Sequence, residues 1–271
     1  KPLGVKSYKP YHSTGEDFLH NYLGMLGIPL DLAPEFPTDA RVTLLTESAK
    51  HDVAIVDLIK RQLLAGKTVV ITSGLLKALQ GRGIEDIVEL EYTNRKAIIR
   101  DFLVGWNRVY PATKDILMPQ IQYLTNDSWE EVSCLAGVTG YPLLLSAQYA
   151  NGTLYVLTIP DNFGDLYHLP PEVLSRIKEA VGKDLYVRLE APSQVVLFVY
   201  DNDMFIVESF LPESVDMRLV LDGRLHQVID VLTGETLSGA DIMDWRGQPT
   251  GQRGFATSIR PHSYRVFQAA P

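Results

Sequence analysis

The sequence TLLTESAKHDVAIVDLIKRQLLAGKTVVITSGL, residues 43–75, contains a strand, a helix and a second strand in close succession. Residues 51–64 carry apolar side chains at the spacing of one helical face. Residues 68–72 are a continuous run of Thr, Val and Ile, which is typical of a strand buried on both faces. Strands that alternate with helices at these separations predict a parallel sheet in an α/β layer.

The N-terminal residues predict a further strand-loop-helix unit of the same kind. Residues 3–8 resemble a short strand, residues 9–15 a polar loop, and residues 16–26 a helix that ends at Gly27. Ser13 and Glu16 stand three positions apart at the predicted helix start, as in a capping box. Ligands of open α/β sheets bind where strand-to-helix loops gather, so we expect any site near residues 8–16.

The pattern repeats at residues 153–181, where a strand, a polar loop at 160–168 and a helix that begins with proline follow one another. The intervening residues 84–150 predict a β-rich insertion. Beyond Asp184 the sequence changes to about eight short strands separated by tight turns, which is typical of a small sandwich. We therefore expect an α/β domain at residues 1–184 and an all-β sandwich at residues 185–271.

Composition narrows the classes of partner. The 271 residues are 46% hydrophobic and 21% charged, with a formal net charge of −8, which argues against a nucleic-acid partner. No run approaches the roughly 18–20 apolar residues of a membrane-spanning helix, so no membrane partner is expected. The first residue is Lys1, from which we expect a processed form or a fragment of a longer chain. The sequence is compatible with either a cytoplasmic or an exported protein.

The order strand, helix, GIPLDL (residues 27–32) and then residues 43–75 resembles a known family. It is similar to the glutamine-amidotransferase-like domain found behind the catalytic barrel of bacterial β-galactosidases, often called the trimerisation domain. Lys67 departs from this pattern, because the family has a second glycine there. The terminal RPHSYRVFQ (residues 260–268) is similar to the last strand of the small β-domains that close many glycoside hydrolases. The resemblance implies a flavodoxin-like parallel-sheet domain of the class I glutamine-amidotransferase type, followed by a C-terminal β-sandwich.

The resemblance does not extend to amidotransferase catalysis. That family places a cysteine on a sharp strand-to-helix turn flanked by glycines. The matching place here is Ser73-Gly74, which has no cysteine. The single cysteine, Cys134, has no flanking glycines, and we expect a buried, inert thiol. His168 and Glu172 resemble the family's His-x-Glu pair, but their spacing is wrong.

If the sheet is flavodoxin-like, the two polar loops that follow its first and last parallel strands share one edge and can approach each other. Their side chains combine acids, histidines, amides and tyrosines, which suit a sugar site. Candidate acid–base residues are His12, Glu16, Asp161 and His168. Candidate ligand-binding residues are Tyr8, Lys9, Tyr11, Asn162 and Asp165. The alternative is that Glu16 caps a helix, Asp161 and Asn162 form a turn, and the tyrosines cover the sheet edge.

Metal and esterase chemistry need motifs that the sequence lacks. A metal site from His12, Asp161 and His168 lacks the close ligand spacing of known motifs, so neither a metal nor any other cofactor is expected. Ser73 has one neighbouring glycine, whereas the esterase motif Gly-x-Ser-x-Gly needs two. Trp106, Trp129 and Trp245 could stack on sugars or anchor in the core.

Three functions follow from the sequence. The first is a non-catalytic accessory or assembly portion of a glycoside hydrolase-related protein, with sugar contact at the edge loops. Its partners would be a carbohydrate, an N-terminal catalytic domain or further copies of the chain. The second is a hydrolase with its own site at the carboxyl edge of the sheet, and the third is an oligomerisation module only.

Overall fold

The computed structural model describes residues 1–125 and 127–271, which form three sheets and four α-helices. The first ten strands are β1 (Pro2–Leu3), β2 (Val5–Tyr8), β3 (Leu30–Ala33), β4 (Val42–Leu45), β5 (Thr68–Thr72), β6 (Leu90–Val104), β7 (Arg108–Tyr123), β8 (Ser128–Ala136), β9 (Thr139–Tyr149) and β10 (Gly152–Leu157). The others are β11 (Val187–Glu190), β12 (Val195–Tyr200), β13 (Met204–Ser209), β14 (Val215–Asp222), β15 (Gln227–Asp230), β16 (Thr236–Leu237), β17 (Gly239–Met243), β18 (Pro249–Ile259) and β19 (Tyr264–Ala270). The helices are α1 (Leu19–Met25), α2 (Ile55–Leu64), α3 (Ser73–Leu79) and α4 (Pro171–Val181).

The largest sheet has nine strands and is mixed, in the order β3-β2-β4-β5-β10-β9-β8-β6-β7. The first five strands are parallel to one another. Numbered by their place in the chain, these five stand in the order second, first, third, fourth, fifth. The last four pair antiparallel, and β9 joins them to β10. Residues 90–149, within the region for which the sequence predicted a β-rich insertion, form four strands that extend the same sheet. The chain as a whole is mostly β.

Helices cover both faces of the parallel strands, because successive strand residues point to opposite sides. Val70 joins the core under α1 and α4, whereas Val69 and Ile71 join the core under α2 and α3. All three are fully buried, as predicted for a strand covered on both faces.

Two antiparallel sheets at the C-terminus face each other across a third core. One has the order β1-β12-β13-β19-β15-β16, the other β11-β14-β18-β17. Phe205 and Phe267 stack in this core with ring centroids 5.2 Å apart, and Phe255 from the other sheet is also fully buried there. Pro2 and Leu3 belong to the first of these sheets, because they pair with Tyr200 and Val199. The predicted strand at residues 3–8 is therefore divided between two sheets.

Several hydrogen bonds join the nine-stranded sheet and its helices to the C-terminal sheets. Lys178 of α4 donates through Nζ to the carbonyls of Leu189, at 3.0 Å, and Ala191, at 3.4 Å. The backbone N–H of Gln194 donates to the carbonyl of Met25 at 2.7 Å. The junction is thus bonded through α1 and α4.

The start of α1 differs from the sequence prediction. The helix begins at Leu19 and not at residue 16, its N-cap Phe18 lies in the left-handed region, and no side chain caps it. Phe18 is exposed, although the predicted helix would have buried it. The capping-box prediction for Ser13 and Glu16 is wrong, because the Glu16 carboxylate binds groups on other elements.

No helix among the described residues combines the length and the apolar character that crossing a membrane requires.

Candidate functional site

The carboxyl edge of the parallel strands brings four loops to one side of the sheet. These loops follow β2, β4, β5 and β10, and the parallel pairing of the strands places their ends together. Every candidate residue from the sequence lies at the end of β2 or β10 or in the loop that follows. The four loops are called the edge loops below.

Glu16 is the most extensively bonded side chain of the edge loops. Its Oε2 accepts from the Thr72 hydroxyl at 2.5 Å and from the backbone N–H of Glu47 at 2.8 Å. Its Oε1 accepts from the backbone N–H of Gly74 at 3.2 Å. The carboxylate therefore joins the loop after β2 to the loops after β4 and β5.

Burial raises the pKa of Glu16 above its ordinary value, and the nearby negative charge of Glu47 acts in the same direction. Hydrogen bonds from Thr72, Glu47 and Gly74 oppose the shift, because they stabilise the charged form. The balance of these effects raises the pKa of Glu16, and both of its oxygens already accept hydrogen bonds within the chain.

The backbone of the first edge loop is strained. His12, Glu16 and Phe18 have φ of +57°, +49° and +69°, which non-glycine residues rarely adopt. Such conformations cost energy and persist only where the surrounding contacts hold them. At Glu16 the three accepted hydrogen bonds supply that hold.

The other candidates near β2 have separate surroundings. Tyr8 is buried, its hydroxyl donates to Asp52 at 2.9 Å, and burial together with Asp52 raises its pKa to about 12. Lys9 lies 3.6 Å from the Asp17 carboxylate. Tyr11 and His12 are exposed to solvent.

The candidates after β10 contact the β6–β7 hairpin. Asp161 forms an ion pair with Lys96, and buried Asp165 forms one with Lys114 at 2.7 Å. His168 Nδ1 lies 2.6 Å from the Thr113 hydroxyl. Asn162 accepts through its side chain from the N–H of Gly164 and so caps a short 3₁₀ turn.

The candidate residues that follow β2 and those that follow β10 lie at the same edge of the sheet but contact different elements. Within residues 1–125 and 127–271, no hydrogen bond or ion pair connects them. Tyr92 of β6 senses charges from both groups: burial raises its pKa, the charges of Asp161, Glu16 and Glu47 act in the same direction, and Lys96 opposes them. Two strands, β4 and β5, separate β2 from β10, so a pocket shared by the two loops stays a prediction.

The strand-to-helix turn after β5 is built by Thr72, Ser73 and Gly74. Ser73 is buried, and its Oγ accepts from the backbone N–H of Ile159 at 2.9 Å. Cys134 lies in β8, where burial raises its pKa. The thiol is therefore neutral and distant in sequence from the turn.

Three residues that bind Glu16 were not predicted from the sequence, namely Glu47, Thr72 and Gly74. Each lies at or just after the carboxyl end of a predicted parallel strand. The rule that parallel strands end at one edge could have identified them, had it been applied to every strand.

The residues proposed for a metal site do not come together. The described residues contain no group of three His, Cys, Asp or Glu side chains that could hold a metal ion. Asp161 instead pairs with Lys96, and His168 contacts Thr113.

Two family models match the chain. A model described as "Uncharacterized protein SSO3021, second domain" matches residues 1–162, and one described as "Probable glycosyl hydrolase, C-terminal domain" matches residues 186–269. No curated protein sequence matches the chain significantly.

Solved structures of glycoside hydrolases resemble the whole chain in fold. A β-galactosidase from Bacillus circulans sp. alkalophilus is 15% identical, with 98% of this chain and 41% of that chain covered and a TM-score of 0.50. A catalytic mutant of Gan42B, a GH42 β-galactosidase from G. stearothermophilus, is 14% identical, with coverages of 100% and 41% and a TM-score of 0.52. An α-L-fucosidase isoenzyme from Paenibacillus thiaminolyticus is 12% identical, with coverages of 100% and 49% and a TM-score of 0.53. The chain thus spans less than half the length of these structures.

Proposed function

The chain belongs to the family of the second domain of uncharacterized protein SSO3021, and from this premise we propose that it is a non-catalytic accessory and assembly portion of a glycoside hydrolase-related protein. The observation that carries the proposal is the extent of the fold likeness. Nearly the whole chain, 98–100%, matches a part of larger glycoside hydrolases. The match of residues 186–269 to a probable glycosyl hydrolase C-terminal domain supports the same assignment.

The finer architecture that we propose is a flavodoxin-like, amidotransferase-like unit at residues 1–184 and a sandwich at residues 185–271. The strand order second, first, third, fourth, fifth supports the first part, because it is the order of flavodoxin-like sheets. The common core of two antiparallel sheets supports the second part. Ser73 in place of a cysteine speaks against glutamine hydrolysis.

The surroundings of Glu16 support a non-catalytic role. A general acid or base has to reach a proton on the substrate. Both oxygens of Glu16 instead accept hydrogen bonds from Thr72, Glu47 and Gly74. We infer that Glu16 holds three edge loops in place.

A hydrolase with its site at the edge loops is the second candidate. It is favoured by the raised pKa of Glu16, because carboxyl groups with shifted pKa values are frequent in active sites. The raised pKa of Tyr92, to which the charges of Asp161 and Glu16 contribute, is consistent with this candidate.

Two measurements on the 271-residue chain test the proposal. Chromogenic β-D-galactosides and α-L-fucosides should not be hydrolysed by the parent chain or by Glu16→Gln. Sedimentation equilibrium should show self-association, or a stable complex once a catalytic domain from the same protein is added. Hydrolysis that is lost in Glu16→Gln would favour the second candidate. A chain that stays monomeric and binds no catalytic domain would contradict the assembly role.

A further inference from the structure

A cleft of about 780 Å³ lies between α4 and the four-stranded C-terminal sheet. Arg176 and Glu179 of α4 line one side, and Asp222, Thr250 and Gln252 of the sheet line the other. Its volume falls within the range of about 300–1,000 Å³ that is common for ligand sites. None of the lining residues belongs to the edge loops, so this is a separate site.

Trp245 lines the cleft and exposes 86% of its surface. It lies in the turn between β17 and β18, where Oδ1 of Asp244 accepts from the backbone N–H groups of Arg246 and Gln248, both at 2.8 Å. The Arg246 guanidinium lies 4.4 Å from the Trp245 ring centroid. The backbone of the turn is therefore braced, the Arg246 guanidinium covers one face of the indole, and the exposed remainder of the ring is open to a ligand.

The charges of the residues that line the cleft balance, and the further cation Arg246 lies on the Trp245 ring outside the lining. Three cationic side chains, Arg176, Lys183 and Arg188, accompany three anionic ones, Glu179, Asp222 and Asp244. Several are already paired within the chain: Arg176 bonds both Glu131 and Glu179 at 2.8 Å. A site for a phosphate or another anion would have an excess of positive charge. The balance therefore favours a neutral ligand that both donates and accepts hydrogen bonds.

The cleft also has an apolar part. Val220, Ile242 and Met243 lie beside the polar groups, and the Oε1 of Gln252 accepts from Arg188 at 3.4 Å, which leaves its amide N–H groups for a ligand. A pyranose ring has an apolar face that stacks on an indole and a rim of hydroxyls that need donors and acceptors. We propose that this cleft binds a neutral oligosaccharide, with Trp245 as the stacking platform.

The test is calorimetric titration of the 271-residue chain with four neutral tetrasaccharides, of β-linked galactose, glucose, xylose and mannose. At least one should bind saturably, and Trp245→Ala should weaken that binding about tenfold or more. Trp245→Phe should bind within a few-fold of the parent, because it keeps a ring. The matched control is Tyr264→Ala, which removes an aromatic side chain that is 59% exposed on β19, outside the cleft, and should leave binding unchanged.

Three outcomes would overturn the proposal: no saturable binding of any of the four sugars, equal binding by Trp245→Ala, or binding of a polygalacturonate fragment only. Sugar binding in the cleft depends on the residues that line it and not on the accessory role. Hydrolysis and self-association are measured separately and should not change in Trp245→Ala, so failure of this proposal is distinguishable from failure of the proposed function.

Discussion

Glu16 and Glu47 exchange hydrogen bonds: the backbone N–H of Glu47 donates to Oε2 of Glu16 at 2.8 Å, and that of Glu16 donates to Oε2 of Glu47 at 3.2 Å. Lys50 contacts the second carboxylate at 2.6 Å and offsets part of its charge. Two acids thus lie side by side because each satisfies a backbone donor of the other's loop. The pair stabilises the edge loops instead of presenting two carboxylates to a substrate.

Replacing Glu16 by Gln should lower the free energy of unfolding by about 1–3 kcal/mol. The reason is that the amide keeps one acceptor oxygen where the carboxylate offered two, so that a buried donor from Thr72, Glu47 or Gly74 loses its partner. Urea denaturation followed by circular dichroism measures the change.

The matched control is Asp17→Asn, which changes the next carboxyl along the chain. Its side chain is about half exposed and lies 3.6 Å from Lys9. Such a surface pair contributes roughly 0–1 kcal/mol, so the control should be nearly neutral. Equal effects of the two substitutions would contradict the bracing role of Glu16.

Gly74→Ala should destabilise the chain, whereas Gly24→Ala should not. A Cβ at position 74 would lie 2.6 Å from Cδ of Glu16, whose side chain cannot move aside without losing its hydrogen bonds. We expect a cost of about 1–3 kcal/mol. A Cβ at Gly24 in α1 meets nothing within 4 Å, and the gain in helix propensity should stabilise by about 0.5–1 kcal/mol. Thermal unfolding of the two variants gives the comparison.

The double variant Glu16→Ala/Gly74→Ala tests whether the clash is the cause. If it is, the cost of Gly74→Ala should shrink once the Glu16 side chain is removed, because neighbouring substitutions are not additive. Strict additivity would indicate that the alanine acts on the backbone alone.

Local patterns predicted the parallel strands but not the contacts of Glu16. The run at Thr68–Thr72 identifies a buried strand from its own residues. By contrast, the partners of Glu16 lie 31, 56 and 58 positions along the chain, and the local capping pattern with Ser13 suggested a different partner. Long-range hydrogen bonds outweighed the local preference at this position.

The antiparallel strands illustrate a second limit of sequence patterns. In β6 and β7, Ile98 and Leu117 pair across the hairpin, and both are exposed. Apolar and polar residues therefore do not alternate regularly between a buried and an exposed face of these strands. The pairing of β6 with β7 is interrupted by register shifts, which break the regular period. The sequence therefore predicted that residues 84–150 are rich in β structure, but it did not predict where the strands of this region begin and end.

Cys134 should not react with a thiol reagent in the folded chain. It is buried, and burial raises its pKa, so the thiolate that reacts is scarce at neutral pH. Absorbance on adding a disulfide reagent should stay flat until urea unfolds the chain and then report one thiol. Rapid modification under native conditions would show that β8 opens easily or that the thiol is accessible.

Lys178 should make the stability depend on pH. Burial lowers its pKa to about 7 in the folded chain, whereas an ordinary lysine has a pKa near 10.4. Between these values the unfolded state binds more protons, so the free energy of unfolding should rise with pH above about 7. The rise from about pH 7 to about pH 9 should be on the order of 1–3 kcal/mol.

Lys178→Met removes this titration and should flatten the profile in that window. It also leaves the carbonyls of Leu189 and Ala191 without their donor, so the diagnostic quantity is the slope with pH and not the absolute stability. Lys60→Met is the control: Asp86 accepts from Lys60 and raises the pKa of Lys60, so Lys60 stays charged across the window and the dependence of stability on pH should persist. Parallel profiles for the parent and Lys178→Met, each measured by urea denaturation at a series of pH values, would show that the amine of Lys178 does not titrate as its burial demands.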